Sequence, residues 1–232
     1  MTQRSPDPGA ILDSVRIRAL LLCGVLAGPL YITIGALEIL FREGFDIRRH
    51  ALSLMSNGPA GWIQIASFLL SGCLVIACAV GMRRALYPGR AGTWGPLLLS
   101  IYGLGLIGAG IFVADPMDGF PVGTPPGPPT VISWHGPLHF VSGGIGFLAL
   151  IAACMVFARR FAGLRQPVWA LFSVLTGVLF LLGFAGVGSG SKQPWINLAF
   201  TATVVLVWVW LSALSLRVMG EVRSEADGSA LT

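Results

Sequence analysis

Charge is scarce in this chain. Of its 232 residues, 11% are Asp, Glu, Lys or Arg, where a water-soluble domain carries roughly a quarter. With 55% hydrophobic residues and a mean hydropathy of +0.80, the composition excludes an ordinary soluble fold. The four cysteines (Cys23, Cys73, Cys78 and Cys154) all lie in apolar stretches, and no CxxC pair occurs. No outer loop can be stapled by a disulfide, no zinc-finger spacing is present, and the cysteines read as small packing residues. No internal repeat is recognisable, which removes the inverted-repeat argument for a transporter. No basic patch is interleaved with exposed aromatics, so a nucleic-acid partner is excluded.

Long apolar runs are what the chain has instead. A bilayer crossing needs about 20 apolar residues. Six runs meet that: Ala19–Phe41, Trp62–Met82, Trp94–Ala114, Pro137–Ala158, Pro167–Val187 and Trp195–Leu216. The only Asp, Glu, Lys or Arg inside them is Glu38. Backbone polar groups in lipid must be satisfied internally, and the runs are too long for barrel strands, so they are helices. The expected fold is an all-α bundle of six transmembrane helices. Residues 18–218 form the transmembrane domain, between tails at 1–17 and 219–232. Trp62, Trp94, Trp134, Trp169 and Trp195 stand at or beside the starts of runs, as an interfacial aromatic belt requires.

Lys and Arg set the expected orientation. The side holding both termini and the second and fourth loops carries eleven of them, and the opposite side four. By the positive-inside rule both termini are cytoplasmic. The net charge of +5 then reads as topology plus attraction to anionic headgroups. The first run is longer than a signal-peptide core and lacks a small-residue exit site, so it is an uncleaved anchor.

The two long outer loops draw attention. Residues 42–61 predict either a structured linker or a short interfacial helix, capped by Asp46, ended by Asn57-Gly58-Pro59, with Leu52 and Met55 on the face of Arg48. Residues 115–136 are too rich in proline for regular structure, and form either a lid or a connector. Gly103-Leu104-Gly105-Leu106-Ile107-Gly108 spells GxGxxG, but inside an apolar span it predicts close helix packing and no dinucleotide site. Gly24, Gly28, Gly143, Gly144 and Gly146 read the same way. A phosphate-loop reading of the segment around Gly190 and Lys192 fails on spacing.

Ionisable groups cluster toward the outer face: Glu38, Arg48, Arg49, His50, Asp115, Asp118, His135 and His139. His135 and His139 are four apart, the spacing that lets two imidazoles share one metal on a helix face. Asp115 or Asp118 would add a carboxylate, giving a candidate site for a divalent metal such as zinc and a water nucleophile. The competing reading is structural hydrogen bonding, and a helix starting at Pro137 would break the i,i+4 relation. Glu38 and Arg42 predict an interfacial ion pair. Arg48, Arg49 and His50 are either a phosphate-headgroup clamp or solvated charges. No histidine lies mid-span, which argues against bis-His haem ligation.

Three segments together resemble a known bacterial membrane-protein family, catalogued as domain of unknown function number 998. They are Arg49-His50-Ala51-Leu52-Ser53 with Gly58-Pro59-Ala60-Gly61-Trp62, then Gly110-Ile111-Phe112-Val113-Ala114-Asp115-Pro116, then His135-Gly136-Pro137-Leu138-His139. The resemblance covers about residues 18–217. It implies a multi-pass protein of the bacterial cytoplasmic membrane and carries no activity or cofactor with it. Three functions are compatible with the residues. The first is binding of a lipid, small ligand or partner at the outer interface. The second is metal-assisted hydrolysis through Asp115, His135 and His139, and the third is small-molecule transport.

Overall fold

The structure is a computed structural model that describes residues 8–191 and 193–229. It contains six long helices: α1 (Pro8–Phe41), α2 (Gly61–Leu86), α3 (Arg90–Ile111), α4 (His135–Gly163), α5 (Pro167–Gly188) and α6 (Pro194–Ser229). Each is long and apolar enough to cross a membrane. Even the 22-residue α3 rises about 33 Å, against a hydrocarbon core of about 30 Å. Among the described residues there is no strand, only an isolated bridge between Met117 and Phe120.

Short connections make sequential helices antiparallel neighbours. α1 packs on α2, α2 on α3, and so on around to α6, which returns against α1, so the six helices form a closed ring. Across the ring α2 touches α6, where Cys78 Sγ lies 3.3 Å from Ser215 Oγ. The half of the ring nearer the termini is filled solid, with Phe157, Phe161, Trp210 and Leu214 fully buried. Trp210 donates its indole N–H to Ser173 at 3.0 Å, tying α6 to α5.

Small residues let the backbones approach. A Cβ on Gly105 would stand 2.8 Å from both the Gly146 Cα and the Ser142 carbonyl oxygen, and one on Gly28 2.7 Å from the Trp208 carbonyl oxygen. The packing expectation therefore holds for Gly24, Gly28, Gly103, Gly105, Gly108 and Gly146. It fails for Gly143 and Gly144. A Cβ on Gly143 would meet nothing within 4 Å, and one on Gly144 only the Phe184 ring edge at 3.9 Å.

Trp62, Trp94, Trp134 and Trp195 are exposed near helix starts, as a belt requires, while Trp169 packs against Phe161 and Phe172. The helices run past the expected tail boundaries. α1 begins at Pro8, and α6 continues beyond 218 because Val222 packs on the core and Glu221 pairs with Arg160 at 2.7 Å. Arg4 and Lys192, counted in the charge asymmetry, lie outside the described residues.

The loop after α1 departs from the interfacial helix expected there. It makes a turn at 47–49 and then a short 3-10 helix, η1 (Leu52–Ser56), whose Met55 is wholly buried. Asp46 starts a turn, its carbonyl accepting from the Arg49 and His50 N–H groups, but the chain turns extended at Ala51, where φ is −65° and ψ 146°. Chain that would lie on the membrane surface instead plugs the end of the ring. The proline-rich segment resolves as a lid: Phe120 is buried against Phe45, and Asp118 N–H bonds the Gly127 carbonyl at 2.8 Å.

Candidate functional site

The α3–α4 corner is built from carbonyls that α3 cannot satisfy. The last carbonyls of any helix lack an intrahelical N–H partner. Here two histidines of α4 supply donors. His139 Nδ1 lies 2.8 Å from the Phe112 carbonyl oxygen and 3.0 Å from that of Ala109. His135 Nδ1 lies 2.7 Å from the Val113 carbonyl oxygen. Carbonyls only accept, so each Nδ1 carries its proton and donates. α4 begins at His135, so the i,i+4 relation survives, but both rings spend a nitrogen on α3.

Asp115 follows directly on the apolar run Trp94–Ala114, which as one helix would set the acid at its C-terminus. α3 ends at Ile111, so the acid does not face a helix C-terminus. Its carboxylate accepts the Ser133 N–H at 3.2 Å and lies over Gly136, in the first turn of α4. An anion there meets the positive end of the α4 dipole. Any side chain at Gly136 would collide with that carboxylate, which explains glycine between His135 and Pro137. Asp115, His135 and His139 thus share one corner, each with its own structural partner. Among the described residues no three His, Cys, Asp or Glu side chains are grouped to hold a metal.

The remaining polar residues stitch the lid. Arg42 pairs with Glu38 at 3.2 Å, also donates to the Asn57 carbonyl, and lies 5.5 Å over the Phe120 ring. The pair is buried, not interfacial: its side chains are 10% and 4% exposed, because the proline-rich loop folds over it. His50 is completely buried, and its Nε2 lies 3.0 Å from the Asp118 carbonyl oxygen. Asp118 itself sits at φ 54°, a left-handed conformation that aspartate tolerates better than most residues. Asn57 donates to the Ala114 carbonyl at 3.0 Å, and Asn197 of α6 donates to the His50 carbonyl at 2.7 Å. Arg48 and Arg49 are exposed and turn to Asp46, at 3.0 and 3.4 Å. The Arg48 hydrogen bond holds the Asp46 carboxyl below its ordinary range. The Asp46 carboxylate draws both guanidinium groups toward it.

Beneath this lid lies a cavity of about 210 Å³ that every helix helps to line. Its roof is Ala51–Ser53. Tyr31, Phe68, Tyr102, Phe147, Phe180, Phe200 and Trp208 form most of the wall, and Ser53, His139 and Thr201 line it too. Tyr31 stacks on Trp208 at 4.8 Å, closing the floor over the solid half. Phe140 and Gly188 belong to the lining and are also exposed on the outside of the ring. The cavity therefore reaches the surface between α4 and α5, along the seam that Gly143 and Gly144 leave open. A second groove of about 90 Å³ lies between α1 and α6 and shares Tyr31, Leu52, Thr201, Val204 and Trp208 with the first.

Sequence reasoning missed this cavity. Its signal was weak: aromatic residues spaced along α4 and α5 look like ordinary core, and Gly143-Gly144 looks like ordinary helix packing. Only the neighbour that each glycine faces separates the two cases.

The family model described as a protein of unknown function (DUF998) matches residues 25–217, and the chain belongs to that family. No curated protein and no solved structure matches the chain.

Proposed function

We propose that this member of the DUF998 family resides in the bacterial cytoplasmic membrane and binds the hydrophobic chain of a lipid-like molecule, which enters its cavity sideways between α4 and α5. The observation that carries this reading is the cavity itself, roofed by the loops and open at a lipid-facing seam. Cavity and seam surfaces are apolar and aromatic, as small-molecule sites generally are. A cavity of about 210 Å³ takes a short segment of such a chain. The rest of such a molecule stays in the bilayer. In this reading Glu38, Arg42, His50 and Asp118 hold the roof, while Arg48 and Arg49 lie at the outer water interface.

The test uses radiolabelled hexadecane and protein in detergent micelles. Saturable binding near one per chain is expected for the wild type. Gly144→Trp, whose Cβ would meet only the Phe184 ring edge at 3.9 Å and whose indole adds bulk at the seam, should abolish it. Uptake that is unsaturable and equal in both proteins would sink the reading.

The orientation is tested separately. The lysine and arginine asymmetry supports an outward-facing lid. A membrane-impermeant maleimide should label Thr130→Cys in intact cells, and Ala162→Cys only after permeabilisation. Both positions are exposed, at opposite ends of the ring. The reverse labelling pattern would invert the topology.

A further inference from the structure

We infer that the end of the proline-rich loop, Val131, Ile132 and Trp134, is a lipid-contact surface, sunk into the interface of the leaflet on the lid's side, and that it anchors the lid to the bilayer. This holds whatever the cavity binds.

Exposure is the first observation. Val131, Ile132 and Trp134 are 76%, 74% and 74% exposed. A single apolar side chain left in water is ordinary, but three large ones within four residues mark a contact surface. No residue from Gly119 to Trp134 is charged, so no ionised group in that stretch opposes entry into the membrane.

What covers the strip follows from its continuity with α4. Trp134, at the N-cap, already has helical dihedrals, φ −70° and ψ −26°. It therefore falls on one line with Leu138, Val141, Ile145 and Leu148, at steps of four, three, four and three residues, which is one face of a helix. All four are exposed. On a helix that crosses the membrane, an exposed apolar stripe meets lipid chains. The strip prolongs that stripe beyond the end of α4. The Trp134 ring is held there edge-on to Phe112 at 6.1 Å and to His135 at 5.7 Å.

The backbone is suited to this depth. Irregular chain is costly in lipid because its N–H groups lose water. Proline has no N–H, and Pro121, Pro125, Pro126, Pro128 and Pro129 precede the strip. Within the strip the Ser133 N–H goes to the Asp115 carboxylate at 3.2 Å, and the Ser133 hydroxyl turns inward to accept the Gly136 N–H at 3.0 Å. The interface still offers water to the remaining N–H groups, and tryptophan prefers that level. Thr130 marks the water side. The loop is thus fixed twice, in protein at the buried Phe120 and in lipid at the strip.

The experiment puts a nitroxide label on Val131→Cys or Ile132→Cys in the full chain carrying Cys23→Ala and Cys73→Ala, reconstituted in phosphatidylcholine nanodiscs. Both sites are exposed, so a label there leaves the packing intact. Power saturation compares relaxation by oxygen, which concentrates in lipid, with relaxation by a nickel chelate, which stays in water. The oxygen-to-nickel ratio at both positions should be several-fold above that of a label on Arg48→Cys, an exposed site of the other long loop. A ratio equal to the Arg48→Cys value would put the strip in water and overturn the inference. Labels shielded from both reagents would mean that protein covers the strip, a second copy or another chain, and would overturn it as well. Hexadecane binding in the cavity is read separately, so its failure leaves these ratios as they are.

Discussion

Arg42→Ala should destabilise the folded bundle by about 3–5 kcal/mol, the cost typical of removing one partner from a buried ion pair. Three groups lose their partner at once. Glu38, 4% exposed, keeps a carboxylate whose Oε2 has no other hydrogen bond. The Asn57 carbonyl loses its donor, and the Phe120 ring loses the cation above it. Because Asn57 also holds the Ala114 carbonyl, loosening it should free both long loops together. SDS-titration unfolding measures the loss. The double variant Glu38→Leu/Arg42→Met should recover most of it, since a buried pair replaced by apolar groups of similar size is often neutral. A loss below about 1 kcal/mol for Arg42→Ala would mean that the pair behaves as a solvated surface bridge.

Gly105→Leu should cost at least about 3 kcal/mol, the upper end of ordinary overpacking. The new Cβ meets the α4 backbone at two points, the Gly146 Cα and the Ser142 carbonyl, and backbone cannot rotate away. α3 and α4 would have to part along the seam that also carries His135 and His139. Gly143→Ala, one turn from that contact on α4, should do the opposite. Its Cβ meets nothing, so the helix gains about 1 kcal/mol from alanine's propensity. The two thermal stabilities, measured in the same detergent, should move in opposite directions. A shared sign would show that close approach does not distinguish these glycines.

The lid and the cavity divide two tasks between polar and apolar residues. The residues singled out as a candidate chemical site serve mainly as hydrogen-bond partners for backbone that leaves the helices. α3 ends with exposed carbonyls, and two imidazoles and one carboxylate settle the junction with α4. A short sequence such as His135-Gly136-Pro137-Leu138-His139 resembles a metal motif because both uses need imidazoles one turn apart. Here each Nδ1 is taken by a carbonyl at or just beyond the end of α3, which stops four residues before Asp115.

The amino-acid sequence by itself determined that this chain crosses a membrane six times as helices. Each span depends only on local hydrophobicity and on the need of backbone groups in lipid for partners nearby. The Glu38–Arg42 pairing was legible for the same reason, as an i,i+4 neighbour relation within one helix. What only the tertiary structure decided is which face of each helix meets protein, lipid or empty space. Gly105 and Gly143 are the same residue on equally apolar helices, yet one touches a neighbouring backbone and the other borders an opening. His50 and Phe120 look like exposed loop residues until two loops 68 residues apart close over the ring and bury both. In a bundle whose lipid-facing and protein-facing surfaces are equally hydrophobic, no pattern along the chain marks the difference. It arises from the order in which the helices close their ring, and the cavity is what that closure leaves unfilled.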